Sequence, residues 1–485
     1  MLFLQHKVPA CKKPIFWHRV KNLATSRKIK SQDVHFDFIS LSFWAFTLSV
    51  CLLPVGLGGN RPVPFGLAQL GLGLSCIFLL LGHRTWSGTR IHRRLRWALA
   101  TFVAVIVWAF LQTFPYVPAS WIHPLWQEAA NTLGTNIHGT IAIAPEDATA
   151  GLIRLITYIV CGFLAFCLMH DAGRAHRLLW SLWISGVGIC LYGLLIYILG
   201  TEKILWFDKW SYVGDLTATF VNRNHFAIYA GMILVCGLSL TIQSWRNAIR
   251  AVSHADRINA TKEWLLHKGL ALCFALFLVF LSIILSHSRA GLVLSIVGPG
   301  CYLSFFSIYR KKYRRALIIA ISFVLLLGIA AIMATEYSER FASLTLDSSS
   351  EDRQTVYWIV VKAIENNPFL GYGLNGFQPI FRLYRTDSMI MEFNRAHCDI
   401  LESILDLGVI AGLALWSAIG LLLSGLARGI RYRQHDGMYP AVGLAVSAMV
   451  IGHAAVDFSL QIPGIVFLWA TLLGTGLAQS WGNRK

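Results

Sequence analysis

Apolar runs of about 20 residues, the length that crosses a bilayer core of about 30 Å, recur along this chain with polar punctuation between them. The clearest are Phe38 to Gly58, Phe65 to Gly82, Trp97 to Pro115, Ala148 to Met169, Leu179 to Leu199, His225 to Trp245, Gly269 to Ser286, Gly291 to Tyr309, Ala316 to Ala334, Ile400 to Ala427, Met438 to Asp457 and Ile462 to Trp481. The pattern predicts an all-α polytopic membrane protein of about twelve transmembrane helices. The longest polar interruption, Thr335 to Ala396, separates the ninth run from the tenth. On this reading the chain divides into a basic tail (1–37), helices one to nine (38–334), a large loop (335–396) and helices ten to twelve (397–485).

Orientation follows from the basic residues. Every second connection is rich in Lys and Arg: the N-terminal tail, Arg90 to Arg96, Arg174 and Arg177, Arg246 to Lys268, Arg310 to Arg315, and Arg428 to Arg433. The positive-inside rule then predicts that both termini and these loops are cytoplasmic and that the large loop faces the other side. With 56% hydrophobic and only 14% charged residues, the chain cannot be a soluble domain. Its net charge of +18 reads as a topological signal and a means of holding anionic membrane lipids, and nucleic acid is not expected as a partner. The ten cysteines fall mostly inside apolar runs and show no CxxC spacing, so neither disulfides nor a metal site is expected.

Polar material gathers on the side away from the cytoplasm, in Tyr116 to Asp147, Gly200 to Asn224 and the large loop. In that loop Asp352 is placed to cap a helix starting at Arg353, and Val356, Ile359, Val360, Ala363 and Ile364 recur at helical spacing up to Asn366. This predicts an amphipathic helix near the membrane surface. Residues 371–376 read GYGLNG, formally GxGxxG, but they follow a helix and no βαβ unit is available. A turn that doubles the chain back, not a dinucleotide site, is the expectation.

Three arginines break the positive-inside pattern. Arg223 lies in VNRNH at the outer mouth of helix six, between Asn222 and Asn224. Arg289 lies in SHSRAG between helices seven and eight, and Arg353 opens the loop helix. A guanidinium at the membrane boundary needs a partner, and its fork matches phosphate oxygens in pairs of hydrogen bonds, so an anion site for phosphate or diphosphate is predicted. An internal salt bridge is the alternative for each arginine. The second cluster is RAHCDILESILD, residues 395–406. His397 at a helix N-terminus is disfavoured as a cation and suited to accept a proton. Asp399, Glu402 and Asp406 follow on one stripe, predicted to orient the imidazole or the arginines. Cys398 points away from His397 and is not expected to act as a nucleophile. His453, Asp457 and Gln461 are spaced by fours and are expected to face the same cavity from helix eleven.

The segments FVNRNHFA (220–227), SHSRAG (286–291), NPFLGYGLNGF (367–377), RAHCDILESILDLGVIAG (395–412) and HAAVDFSLQIP (453–463) resemble the O-antigen ligase and O-antigen polymerase superfamily. The resemblance runs from about residue 220 to the C-terminus. It implies a multi-pass protein of the bacterial inner membrane, a metal-independent glycosyltransferase without a cofactor, acting at the periplasmic face. Its donor would be a glycan linked to undecaprenyl diphosphate, and its acceptor a hydroxyl of lipid A core for a ligase or of another sugar for a polymerase. By the same resemblance Arg223 and Arg289 would hold the diphosphate and His397 would be catalytic. The residue pattern itself adds Arg353 to the anion site and Asn222, Asn224, Asp399, Glu402 and Asp457 as supporting residues. Cys398 stands where the family commonly has Asn. A lipid-linked glycan transporter or flippase is the reading from another class. It would place ionisable groups on broken helices at the bilayer midplane, whereas here they cluster at outer helix ends.

Overall fold

A computed structural model describes residues 37–82, 93–250, 252–308, 348–385, 392–432 and 437–481. The basic tail, the predicted ninth helix Ala316 to Ala334, the Arg310 to Arg315 cluster and the side chain of Arg353 lie outside the described residues. The other eleven apolar runs each contain helix. In chain order the helices are α1 (Phe38–Leu52), α2 (Pro62–Leu81), α3 (Arg93–Gln112), α4 (Leu125–Leu133), α5 (Pro145–Leu168), α6 (Ala172–Ile198) and α7 (Arg223–Arg250). There follow α8 (Arg257–Ile284, with a π turn at Leu265–Gly269) and α9 (Arg289–Ile308). The chain continues with α10 (Ser348–Asn366), α11 (Phe377–Tyr384), α12 (Asp399–Leu407), α13 (Val409–Tyr432), α14 (Met438–Ala454) and α15 (Pro463–Ser480). Eight of these, α1 to α3, α5 to α8 and α13, are long and apolar enough to cross a membrane. The fold is mostly helical, though a two-residue hairpin, Lys203–Ile204 with Phe207–Asp208, interrupts the all-α expectation.

Local chemistry sets the helix starts. Asp171 accepts a hydrogen bond from Arg174 N at 2.8 Å and so caps α6. Pro145 opens α5 with Glu146 and Asp147 in the first turn, where a fixed φ and negative charge both suit the helix N-terminus. The hub is α7, with 89% of its most apolar window buried inside the protein. It packs against α6, α8, α9 and α14. Close approach there requires Gly237, where a Cβ would sit 2.3 Å from the Trp183 ring.

Two expectations need correcting. The run Ile400 to Ala427 is not one helix: Gly408, at φ +79°, separates α12 from α13, and a Cβ there would lie 2.3 Å from Phe369 O. Only glycine suits that conformation at that distance, so the polar turn of α12 is set apart from the apolar α13. The loop helix starts earlier than Arg353, at Ser348. Its apolar face, Val356, Ile359, Val360 and Ala363, packs with Phe377, Ile380 and Phe381 of α11 and Leu405 of α12 in a separate small core. Burial there supplies what a membrane surface was expected to supply. The cap formed by α10 to α12 is therefore a platform with an apolar core of its own.

Candidate active site

His397 is presented by an unusual backbone. The chain leaves the cap core through Ala396, turns at His397 with φ +54°, and enters α12 through the extended Cys398. A left-handed conformation at a non-glycine residue costs about 1–3 kcal/mol and needs support from its surroundings. Tyr357 Oη donates to His397 O at 3.0 Å, and the ring edges of Phe393 and Phe458 flank the imidazole. One residue earlier, Ala396 N donates to Glu402 Oε2 at 3.0 Å, while Arg395 Nη1 lies 2.8 Å from Glu402 Oε1.

The imidazole's partner is Asp457, with Nδ1 3.2 Å from Oδ1. Asp457 lies just beyond α14, which ends at Ala454, and not on the helix face expected for it. It is a junction: Phe458 N donates to Oδ1 at 2.9 Å, Asn224 Nδ2 donates to Oδ2 at 2.9 Å, and His225 Nε2 stands 3.9 Å away. Burial works against its charge, but the hydrogen bond from His397 and the neighbouring imidazoles outweigh burial and hold the carboxyl below its ordinary range. An ionised Asp457 fixes the proton on Nδ1 and leaves Nε2 as the acceptor. His453, from the same predicted group, is engaged instead with Ser459 Oγ at 2.6 Å.

Arg223 begins α7. Asn222 Oδ1 accepts from Asn224 N at 2.7 Å, so Asn222 caps the helix that carries Arg223 and Asn224. Arg223 Nη1 is 2.9 Å from Asp215 Oδ2, and its guanidinium lies over the Tyr212 ring. The same carboxylate takes His287 Nδ1 at 2.8 Å on its other oxygen. Asp215 had no signature in the sequence; it reaches the site because Leu216 N pairs with Leu285 O, clipping its loop to the turn before α9. Ser288 Oγ donates to Asn224 Oδ1 at 2.7 Å, joining that turn to the Asp457 junction. Arg289 is exposed at the first position of α9.

Of the two roles expected for the carboxylate stripe of α12, the contacts join it to an arginine, Arg395, and not to the imidazole. Asp399 Oδ2 accepts from Leu460 N at 2.8 Å, Glu402 holds Arg395, and Asp406 accepts from Asn375 N at 2.9 Å and Gly376 N at 3.1 Å. All three are buried, and burial pushes the Asp399 and Asp406 carboxyls well up. The glycine turn thus spends its N–H groups on Asp406, not on a phosphate. Gly373, at φ +89°, would bring a Cβ to 2.6 Å from Ala142. Cys398 is buried, and burial raises its thiol, which agrees with an inert role.

Fold and site together define a helical membrane protein that carries a histidine–carboxylate pair on a capped end of its bundle, next to a cluster of arginine, asparagine and histidine side chains. Residues 274–417 match the model of the family described as O-antigen ligase, which supports the O-antigen ligase and polymerase superfamily. The match takes in Arg289, Arg353, His397, Asp399 and Glu402, and stops short of Asn222 to Asn224 and Asp457. No curated protein matches the chain.

Proposed function

We propose that this protein is a glycosyltransferase of the bacterial inner membrane that moves a glycan from undecaprenyl diphosphate to an acceptor hydroxyl at the periplasmic face. The acceptor is lipid A core in the ligase form of the reaction and another glycan in the polymerase form. The observation that carries the reading is the His397–Asp457 pair, 3.2 Å apart, with Asn224 of a third chain segment bonded to the same carboxylate. Nε2 of His397 takes the proton of the acceptor hydroxyl as its oxygen forms a bond to the anomeric carbon. The bond from that carbon to the diphosphate oxygen breaks, and the electron pair leaves with the lipid diphosphate. Arg223 and Arg289 offset that charge, and Arg353 is assigned to the same role from the sequence alone. Asp215 holds Arg223 and His287 in place for the donor, so the salt bridge foreseen as an alternative is compatible with anion binding. Deletion of the gene followed by glycolipid analysis tests the reading. Loss of glycan attachment to lipid A core is the ligase outcome, single-repeat products the polymerase outcome, and unchanged glycolipids would overturn both. Accumulation of donor on the cytoplasmic leaflet would point to the flippase reading.

A further inference from the structure

A second histidine–carboxylate pair, His287 with Asp215, is joined to the first through two side chains. His287 Nδ1 lies 2.8 Å from Asp215 Oδ1. From the next residue Ser288 Oγ donates to Asn224 Oδ1 at 2.7 Å, and Asn224 Nδ2 donates to Asp457 Oδ2 at 2.9 Å. Both histidines have a left-handed backbone, with φ +52° at His287 and +54° at His397. Glycine would make such a turn without strain, so the connection between α8 and α9 has no need of an imidazole. The His287 side chain is 53% exposed, against 20% for His397, and is open to a ligand from outside the bundle. Asp215 occupies its Nδ1, and among the described residues its Nε2 has no partner.

The charges around the imidazole are those of an incomplete anion site. Arg223 Nη1 lies 2.9 Å from the other oxygen of Asp215. Lys209, which pairs with Glu202 at 3.3 Å, donates from Nζ to the Asp215 backbone oxygen. Arg289 follows His287 by two residues. Asp215 cancels one of the two arginine charges that the proposed reaction uses, and a protonated His287 restores it. An imidazolium between Asp215 and a bound diphosphate would have an anion at each nitrogen. A diphosphate diester carries two negative charges, and the departing lipid diphosphate gains a third as the glycosidic bond breaks. Arginine can only offset that third charge, because it keeps its proton, whereas an imidazolium can give a proton up.

We propose that His287 is a second catalytic residue: as an imidazolium it binds the donor diphosphate through Nε2–H and passes that proton to the oxygen that leaves the anomeric carbon. The hydroxyl proton ends on His397 and the electron pair of the broken bond stays on the diphosphate oxygen, which takes the His287 proton. His397 then releases a proton to water and His287 regains one from water, so no further reactant is consumed. The acid step rests on the transferase reading; the proton-linked binding of a diphosphate does not.

The test of binding is calorimetric titration of the full-length protein, in phosphatidylcholine nanodiscs, with farnesyl methyl diphosphate, a diester whose own charge stays constant between about pH 5 and about pH 8. The parent should take up a proton on binding at the upper end of that range. It should bind about tenfold more tightly at the lower end, the worth of one charge-assisted hydrogen bond. His287→Asn, which suits the left-handed turn, should bind without proton uptake and equally at both ends, while His397→Gln keeps the uptake of the parent. Uptake retained by His287→Asn, or lost in His397→Gln, would overturn the proposal. So would an equal loss of affinity at both ends with uptake intact, which would make His287 a prop for Asp215. The test of the acid step is transfer from lipid-linked glycan extracted from the source cells. There kcat of His287→Asn should fall at least about 10²-fold and lose the decline toward the alkaline end that the parent shows. Parental kcat in His287→Asn would overturn the acid step. Absence of transfer by the parent would remove the acid step together with the transferase reading and leave the proton-linked diphosphate site standing.

Discussion

Asn224 and Asp457, 233 positions apart in sequence, are joined by a 2.9 Å hydrogen bond from Nδ2 to Oδ2. Through it the helix that begins with Arg223 and the carboxylate that orients His397 form one rigid unit. In the proposed reaction, charge develops at the diphosphate while a proton moves to the imidazole, and this unit fixes the distance between the two events.

Asp457 is a positioning residue on this account. Asp457→Asn keeps the size and one acceptor but removes the charge that holds the Nδ1 proton, so kcat should fall about 10²- to 10⁴-fold. KM for the donor and the monodispersity of the purified protein should change little. A large rise in KM with kcat preserved would mean that Asp457 shapes the binding pocket instead.

Two buried carboxyls should respond to pH with opposite signs. Asp457 is held below the ordinary value of 3.8, so its stabilisation is present above that pH and is lost as pH falls through its folded value. Asp399 is pushed above 3.8, so its contribution is fully present below that value and is lost as pH rises. Asp399→Asn keeps an acceptor for Leu460 N and removes a charge that the fold disfavours. Its melting temperature at neutral pH should equal or exceed that of the parent, and a fall of several degrees would contradict the sign assigned to Asp399.

Glu402 tests the platform. It is fully buried and holds both Arg395 and the N–H of Ala396, immediately before the His397 turn. Removing one partner of a buried pair typically costs about 3–5 kcal/mol. Glu402→Ala should therefore lower the melting temperature sharply, and the double variant with Arg395→Met should recover part of the loss. An unchanged melting temperature would show that the cap is held by its apolar core alone.

What the sequence made legible follows the range of its signals. Hydropathy is local and long, so eleven of the predicted runs carry helix, and the short-range cluster around His397 was visible as polar residues at a helix start. The break at Gly408 was hidden because the flanking residues keep an apolar helical pattern through it. Partner choice was less legible still. Glu402, Asp399 and Asp406 share a stripe with the right spacing, yet each is engaged by backbone or by Arg395, while the carboxylate that reaches His397 comes from 60 residues further on. Asp215 was invisible because a lone acidic residue in an outer loop has no periodicity to mark it.

Arg223→Lys probes the anion site. An ammonium keeps the ion pair with Asp215 but loses the fork that holds two phosphate oxygens, so donor binding should weaken at least about tenfold with the fold intact. Normal donor affinity in this variant, measured by titration with undecaprenyl diphosphate, would leave Arg223 as a structural partner of Asp215.

The histidine itself can be tested with little disturbance to its backbone. At φ +54° most substitutions add strain, but Asn tolerates the left-handed region better than other non-glycine residues. His397→Asn should therefore preserve the turn, the Tyr357 contact to the backbone carbonyl and the start of α12. What it lacks is an imidazole nitrogen that can take a proton. If His397 is the acceptor of the hydroxyl proton, the Asn variant should fold, bind the lipid diphosphate and transfer glycan at least about 10²-fold more slowly. If His397 only completes the turn, Asn should serve as well, and transfer at the parental rate would remove the catalytic role.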